Sequence, residues 1–213
     1  MALTTGFTPL GGRQNPYHKG DVLGEYTTPG TYTLEIKGKG VYEIEAISGG
    51  GGGEHIDHYR HINTYHSYYS GSTGAYFKGT VTLNKGEHTI VIGSGGASYA
   101  YVNYPTITGA GGQTSIDEVF VLSGGAGCGY EVTGSGGALT TNTAVKTTET
   151  YNAGYASIYH GINKDWYTSF GIQLAPVPEA LANYGYGGSS GGPGVAALNG
   201  ASGYLKITYK GMR

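Results

Sequence analysis

An all-β fold whose glycine-rich segments are packed rather than free is what this sequence predicts, and three observations predict it. Glycine supplies 42 of 213 residues, far above an ordinary usage of roughly 7%. Between the glycine blocks lie short stretches of alternating apolar and polar residues, such as Tyr42-Glu43-Ile44-Glu45-Ala46-Ile47, the period-two pattern of half-buried strands. The glycine spacing is irregular and there are only 7 prolines, which excludes collagen. The 21 tyrosines and well-patterned strands exclude a disordered linker.

Taken in order, residues 1–22, with Gly11-Gly12, Pro16 and Gly20, read as an irregular attachment arm, and 23–213 as a single domain. Pro29-Gly30 marks a turn, 31–37 alternates as a strand, Gly38 and Gly40 mark another turn, and 41–47 alternates again, which predicts a meander. The stretch 48–74 follows: five glycines, a His- and Tyr-rich insert at 54–70, then glycine again. Segments 75–83 and 87–92 flank Asn84-Lys85-Gly86 and predict a β-hairpin. A second insert, 97–108, lies between glycine blocks, and 114–116 and 119–122 read as short strands. Blocks 123–129 and 134–137 bracket Tyr130-Glu131-Val132, and the longest insert spans 139–183. The last glycine block is 185–194, and 203–209 alternates as a closing strand. No stretch has convincing helical periodicity beyond a single turn at 179–182.

Glycine blocks have a physical option open to few other residues. A polyproline-II-like helix has three residues per turn and no internal hydrogen bonds, so its backbone needs partners elsewhere. Glycine lets several such helices approach closely enough to bond to one another, while a side chain facing a neighbour would wedge them apart. The alternative is that the blocks are loops of a β-sandwich. Their position at each boundary between framework and insert favours order.

Composition narrows the function. Charged residues make up 12% of the chain and the net charge is −2, so the clustered cations needed for nucleic acid are missing. Cys128 has no intrachain partner and reads as a small buried residue. No apolar run is long enough for a membrane span, and the N-terminus lacks signal-peptide features. The expectation is a chain made in a cytoplasm and not membrane-inserted.

The inserts carry the candidate site. Residues 54–70, 97–108 and 129–186 together hold 14 of the 21 tyrosines. Tyrosine offers large contact area, a polar tip and few torsions to freeze, which suits recognition from a rigid scaffold. The candidate receptor-contacting residues are His55, His58, Tyr59, His61, Tyr65, His66, Tyr68 and Tyr69 in the first insert, and Tyr99, Tyr101 and Tyr104 in the second. Tyr155, Tyr159, Trp166 and Tyr167 are the candidates in the third. His55, His58 and His61, stepping by three, are weak metal candidates; no cofactor is expected. Enzyme motifs fail on context. Gly187-Gly188-Ser189-Ser190-Gly191 fits the nucleophile-elbow pattern without its strand and helix. Asp57, Asp117, Glu118, Asp165 and Glu179 are carboxylates that sequence cannot pair.

The succession Pro29-Gly30-Thr31-Tyr32-Thr33, Tyr42-Glu43-Ile44-Glu45 into the 49–53 glycines, Tyr76-Phe77-Lys78-Gly79-Thr80-Val81-Thr82-Leu83, Thr89-Ile90-Val91-Ile92-Gly93 and Gly203-Tyr204-Leu205-Lys206-Ile207 resembles glycine-rich bacteriophage tail-fibre domains. Its layout is similar to the tip adhesins of T-even-like phages. The resemblance covers about 23–209 and implies a β-sandwich-like framework carrying packed polyglycine-II-type helices and long Tyr-rich loops. It further implies a non-enzymatic, virion-borne adhesin that binds a bacterial surface glycan or outer-membrane protein. Expected partners are that receptor and other tail-fibre subunits, with a homotrimer as one arrangement and no nucleic acid. The alternatives are a structural or trimerisation module and a carbohydrate-active enzyme.

Overall fold

The computed structural model describes residues 15–60, 63–102, 108–117, 119–128, 137–141, 145–151, 158–162, 165–169, 181, 183–188 and 196–212. Among these the protein is mostly β, with Leu181 alone in a helical turn. Sheet A contains β1 (Val22–Tyr26), β15 (Tyr204–Gly211), β3 (Gly40–Ile47), β6 (Tyr76–Leu83) and β12 (Val145–Tyr151), in that spatial order. Sheet B runs β11 (Leu139–Thr141), β10 (Phe120–Leu122), β9 (Thr114–Ile116), β7 (Gly86–Ile92) and β2 (Gly30–Ile36). Both are antiparallel throughout. Sheet C contains β14 (Asp165–Ser169), β13 (Ile158–Ile162), β5 (Asn63–Tyr69), β4 (Glu54–Arg60) and β8 (Tyr99–Val102), with one parallel pair, β4 with β8.

Alternation explains why sheets A and B share one core. Tyr42, Ile44, Ala46, Phe77, Val81, Leu205 and Ile207 from sheet A are buried in the same cluster as Ile36, Ile90, Ile92, Ile116 and Phe120 from sheet B. The rings of Phe77 and Phe120 meet at 4.8 Å. The expected hairpin and meander do not form. β6 pairs with β3 and β12, while β7 pairs with β2 and β9. The turn at Asn84-Lys85 instead carries the chain to the facing sheet, as does the link from β2 to β3. Pairing these neighbours within one sheet would leave the other sheet's apolar face uncovered.

The glycine blocks are the second structural unit. The central segment, 48–53, donates backbone hydrogen bonds to three neighbours in rotation. Ser48 and Gly51 donate to Ala75 and Ser72, Gly49 and Gly52 to Gly112 and Gly109, and Gly50 and Gly53 to Ala201 and Leu198, at 2.9–3.1 Å. Three further segments donate into it: Gly125 to Gly49, Gly96 to Gly50, Gly188 to Gly51 and Tyr99 to Gly53. For the first three neighbours, and for 96–99, the bond recurs after three residues, and the direction of stepping makes those three antiparallel to the centre and 96–99 parallel to it.

The six neighbours also bond to one another and close a ring. Ser72 donates to Ala126, Gly111 to Gly125, Gly112 to Ser94, Gly200 to Gly96, Ala201 to Tyr186, and Gly74 to Gly185. A Cβ at Gly49, Gly50, Gly51 or Gly52 would lie under 3.0 Å from the carbonyl of Ser94, Tyr186, Ala126 or Ala97 respectively. The centre is enclosed on every side, which is why it needs consecutive glycines. Ring segments tolerate a side chain at the outward position: Ser94 and Ala97, Ala110 and Gln113, and Ser123 and Ala126 recur every third residue and are exposed or half-buried. Segment 198–203 completes the ring with only two glycines and lies beyond the glycine block the sequence suggested.

Several predicted boundaries change. Inserts 54–70 and 97–108 contain paired strands, and the 139–183 insert supplies β11 and β12 to the framework. Residues 15–21 of the expected arm are docked: Tyr17 packs against Tyr42 and Tyr209, and Gly20 donates to the Tyr209 carbonyl. Asn15 donates to the Lys39 carbonyl, and Gly40 lies against Gly211. The first and last described residues therefore meet at the end of β3 away from the glycine ring.

Gly51→Ala is expected to prevent folding or lower its free energy by at least ~3 kcal/mol, as overpacking against fixed backbone does. Ala110→Ser, on the ring's outer side, should change it by less than ~0.5 kcal/mol. Chemical denaturation of the two variants checks the contrast. Phe120→Ala should cost ~3–5 kcal/mol through the cavity it opens.

Candidate functional site

The ring determines what stands on it. The central segment leads directly into β4, the 71–75 segment follows β5, and the 93–98 segment leads into β8. The central segment runs antiparallel to 71–75 and parallel to 93–98, and sheet C repeats this: β4 pairs antiparallel with β5 and parallel with β8. β13 then adds to β5, and β14 to β13.

At the junction, Glu54 and Tyr69 are opposite one another and buried. Beneath them Thr108 Oγ1 donates to the Gly52 carbonyl at 2.7 Å and accepts from the Cys128 amide at 2.7 Å. The Cys128 Sγ lies between the carbonyls of Gly52, at 3.3 Å, and Tyr69, at 3.2 Å. Burial pushes the Cys128 thiol up to about 11, with Glu54 adding to the rise and the Thr108 hydrogen bond opposing it. A protonated thiol wedged among carbonyls has no nucleophilic character at neutral pH. Sequence reasoning anticipated buried Cys128; it missed Thr108, whose only signal is a hydroxyl residue directly before Gly109.

The predicted site residues fall into four groups. Tyr69 is fully buried and packs with Cys128, so it is a support for the presented surface and not part of it. A tyrosine at the strand end adjoining the ring closes that junction. His55 is half-buried and Tyr99 is 44% exposed. His58, Tyr59, Tyr65, His66, Tyr68, Tyr101, Tyr159, Trp166 and Tyr167 occupy strand positions in sheet C. His61, Tyr104 and Tyr155 lie outside the described residues.

The three-residue histidine step loses its geometric basis. In β4 the backbone is extended, so positions 55 and 58 fall on opposite faces, and among the described residues no group of three metal-ligating side chains gathers. The carboxylates are likewise dispersed. Asp57 is in β4 and Asp165 in β14, while Asp117 is engaged in sheet B, where its carboxylate accepts from the Thr89 amide and meets His88 Nδ1, both at 2.7 Å. Glu118 and Glu179 lie outside the described residues, as do Ser189 and Ser190 of the elbow-like run. No described helix is long and apolar enough to cross a membrane. No protein-family model and no curated protein matches this chain.

Between its ordinary value of 9.0 and the raised one, the thiol keeps a proton in the folded state that the unfolded state has already released. Its stabilising contribution is present below pH 9 and is lost as pH rises through about 11. Tyr42, pushed up to about 12 by burial and by Tyr17 and Tyr209, acts in the same direction. Stability should therefore fall on the alkaline side, and Cys128→Ala should flatten the slope between pH 9 and about 11, measured by denaturation across pH. Cys128 should react with a thiol reagent at neutral pH only after unfolding.

Proposed function

We propose that this chain is the receptor-binding tip domain of a bacteriophage tail fibre, acting by recognition without catalysis. In this proposal sheets A and B form a β-sandwich base, and the seven bonded glycine segments are a polyglycine-II-type bundle that holds sheet C out as the binding element. The observation that carries it is the order of the layers. The chain's first and last described residues meet at one end of sheets A and B, the ring follows, and the Tyr- and His-rich sheet C stands beyond it.

Physical reasoning supports a recognition role for such a layer. Backbone bonded on every side has little freedom left to lose, so strands rising from it dock at low entropic cost. Aromatic residues concentrated there supply anchors. The composition, poor in charge, leaves recognition to tyrosine, histidine and amide groups. The bacterial receptor and neighbouring fibre subunits are the partners this function requires.

A second reading, an assembly module within the fibre, draws on Tyr186 and Leu198, which are 49% and 58% exposed on adjacent ring segments. Sedimentation separates the two: a stable trimer dissolved by Leu198→Ser would favour assembly.

The test of the adhesin proposal shortens the β4–β5 hairpin. Residues 57–66 are replaced by Asn-Gly, so that the Ile56–Ser67 pair closes on a two-residue turn. The expected outcome is a folded domain, judged by thermal unfolding, that no longer binds host cells; undiminished binding by the shortened chain would overturn the proposal.

A further inference from the structure

One register runs unbroken from sheet A through the ring into sheet C. β3 and β6 pair from Gly40–Leu83 to Ile47–Tyr76. The glycine segments continue with Ser48 donating to the Ala75 carbonyl and Gly51 to that of Ser72, and β4 and β5 continue from Glu54–Tyr69 to Arg60–Asn63. Each step forward on one arm is matched by one step back on the other, with no residue gained or lost at either crossing. Neither 48–53 nor 70–75 contains a turn or bend. Residues 40–60 and 63–83 are therefore the two arms of one antiparallel ribbon, roughly 65 Å long at the rise of extended chain.

A third thread follows the same rule. β15 pairs with β3 from Tyr209–Tyr42 to Tyr204–Ile47, and beyond the sheet the same register takes Ala201 to Gly50 and Leu198 to Gly53. This thread adjoins the ribbon up to the ring, and its other end, Gly211, lies against Gly40 at the end away from sheet C. Hydrogen bonds between antiparallel strands lie across the strand direction. Drawing the ribbon lengthwise past this thread therefore strains all the bonds between them together.

The two described ends of the chain are joined differently. The start of β1 and the end of β15 lie at the same end of an antiparallel pair, where Gly20 donates to the Tyr209 carbonyl and Tyr209 to that of Asp21. Drawing those two ends apart opens β1 from β15 one pair at a time.

We propose that the ribbon is a force-carrying spine: tension applied at sheet C travels along it and passes to 198–209 as shear, so the domain holds against pulling from sheet C where it yields to pulling between its described ends. The proposal rests on the adhesin reading, since a receptor held by sheet C supplies the tension. Recognition and force transmission then belong to one element, because the strands that reach the receptor are the strands of the framework.

The test is single-molecule pulling on the full chain with thiol-coupled handles. One pair of handles is placed by His61→Cys and Met212→Cys, the other by Lys19→Cys and Met212→Cys; Lys19 and Met212 are exposed, and Cys128 is buried. Both chains are expected to keep the parental thermal midpoint, with Ile62→Cys taking the place of His61→Cys if that chain does not. At one loading rate the 61–212 pair should rupture at a force at least about twice that of the 19–212 pair, as shear against peeling requires. Rupture of the 61–212 pair at an equal or lower force would overturn the proposal. No receptor enters the measurement, so that result would leave the adhesin reading standing, whereas a strong spine in a chain that binds no host cell would remove the adhesin reading alone.

Discussion

The backbone bonding of residues 48–53 is the constraint on which the rest of this protein depends. Facing sheets are held about 10 Å apart by the side chains between them. Where β3 ends at Ile47 and the glycines begin, no side chains intervene, and one segment bonds directly to six others. The usual core is replaced there by a lattice of amides, each satisfied by a neighbour. Such a lattice tolerates no inward Cβ, so the enclosed segment is the one with five consecutive glycines.

The ring is continuous with the framework. Segments 198–203 and 71–75 both bond to the central segment 48–53, and the strands attached to these three, β15, β3 and β6, lie side by side in sheet A. Segments 93–98, 108–112 and 123–128 are likewise adjacent and continue into β7, β9 and β10 of sheet B. The same adjacency fixes β5, β4 and β8 beyond the ring. Strand order at both ends is thus imposed by one set of backbone bonds, and the parallel β4–β8 pair follows from two ring segments that run the same way.

The junctions show how that lattice is sealed. On one side Ile47, Tyr76, Leu181 and Tyr204 form a separate cluster with Tyr184 against it, and Gly185, at φ +65, makes the turn into the ring where a Cβ would strike the Ile47 side chain. On the other side Thr108 and Cys128 occupy ring positions with small polar groups that bond to carbonyls at the exit to sheet C. Both junctions use side chains to satisfy or cover backbone where the repeat ends.

Period-two alternation made most framework strands legible in the sequence: β3, β6 and β7 begin and end within a residue of the pattern, and β15 runs two residues past it. The partners of these strands were not legible: Asn84-Lys85-Gly86 has hairpin chemistry, yet β6 and β7 enter different sheets because burial of two apolar faces outweighs a local turn preference. Glycine content marked the packed segments, but 198–203, with Ala, Ser and Asn among its glycines, was hidden because a ring position needs glycine only where it faces inward. In the candidate site, residue type pointed to tyrosine and histidine, whereas the extended backbone separated His55 from His58 and burial withdrew Tyr69. The sequence by itself determined the framework strands with period-two alternation and the segments dense in glycine, since both are local consequences of side-chain pattern; the strands within the inserts, β4, β5, β8, β12, β13 and β14, were not legible in it. Only the tertiary structure decided which segment is the enclosed centre, which strands adjoin, and which residues of sheet C share a face, because these follow from backbone bonds between residues far apart in the chain.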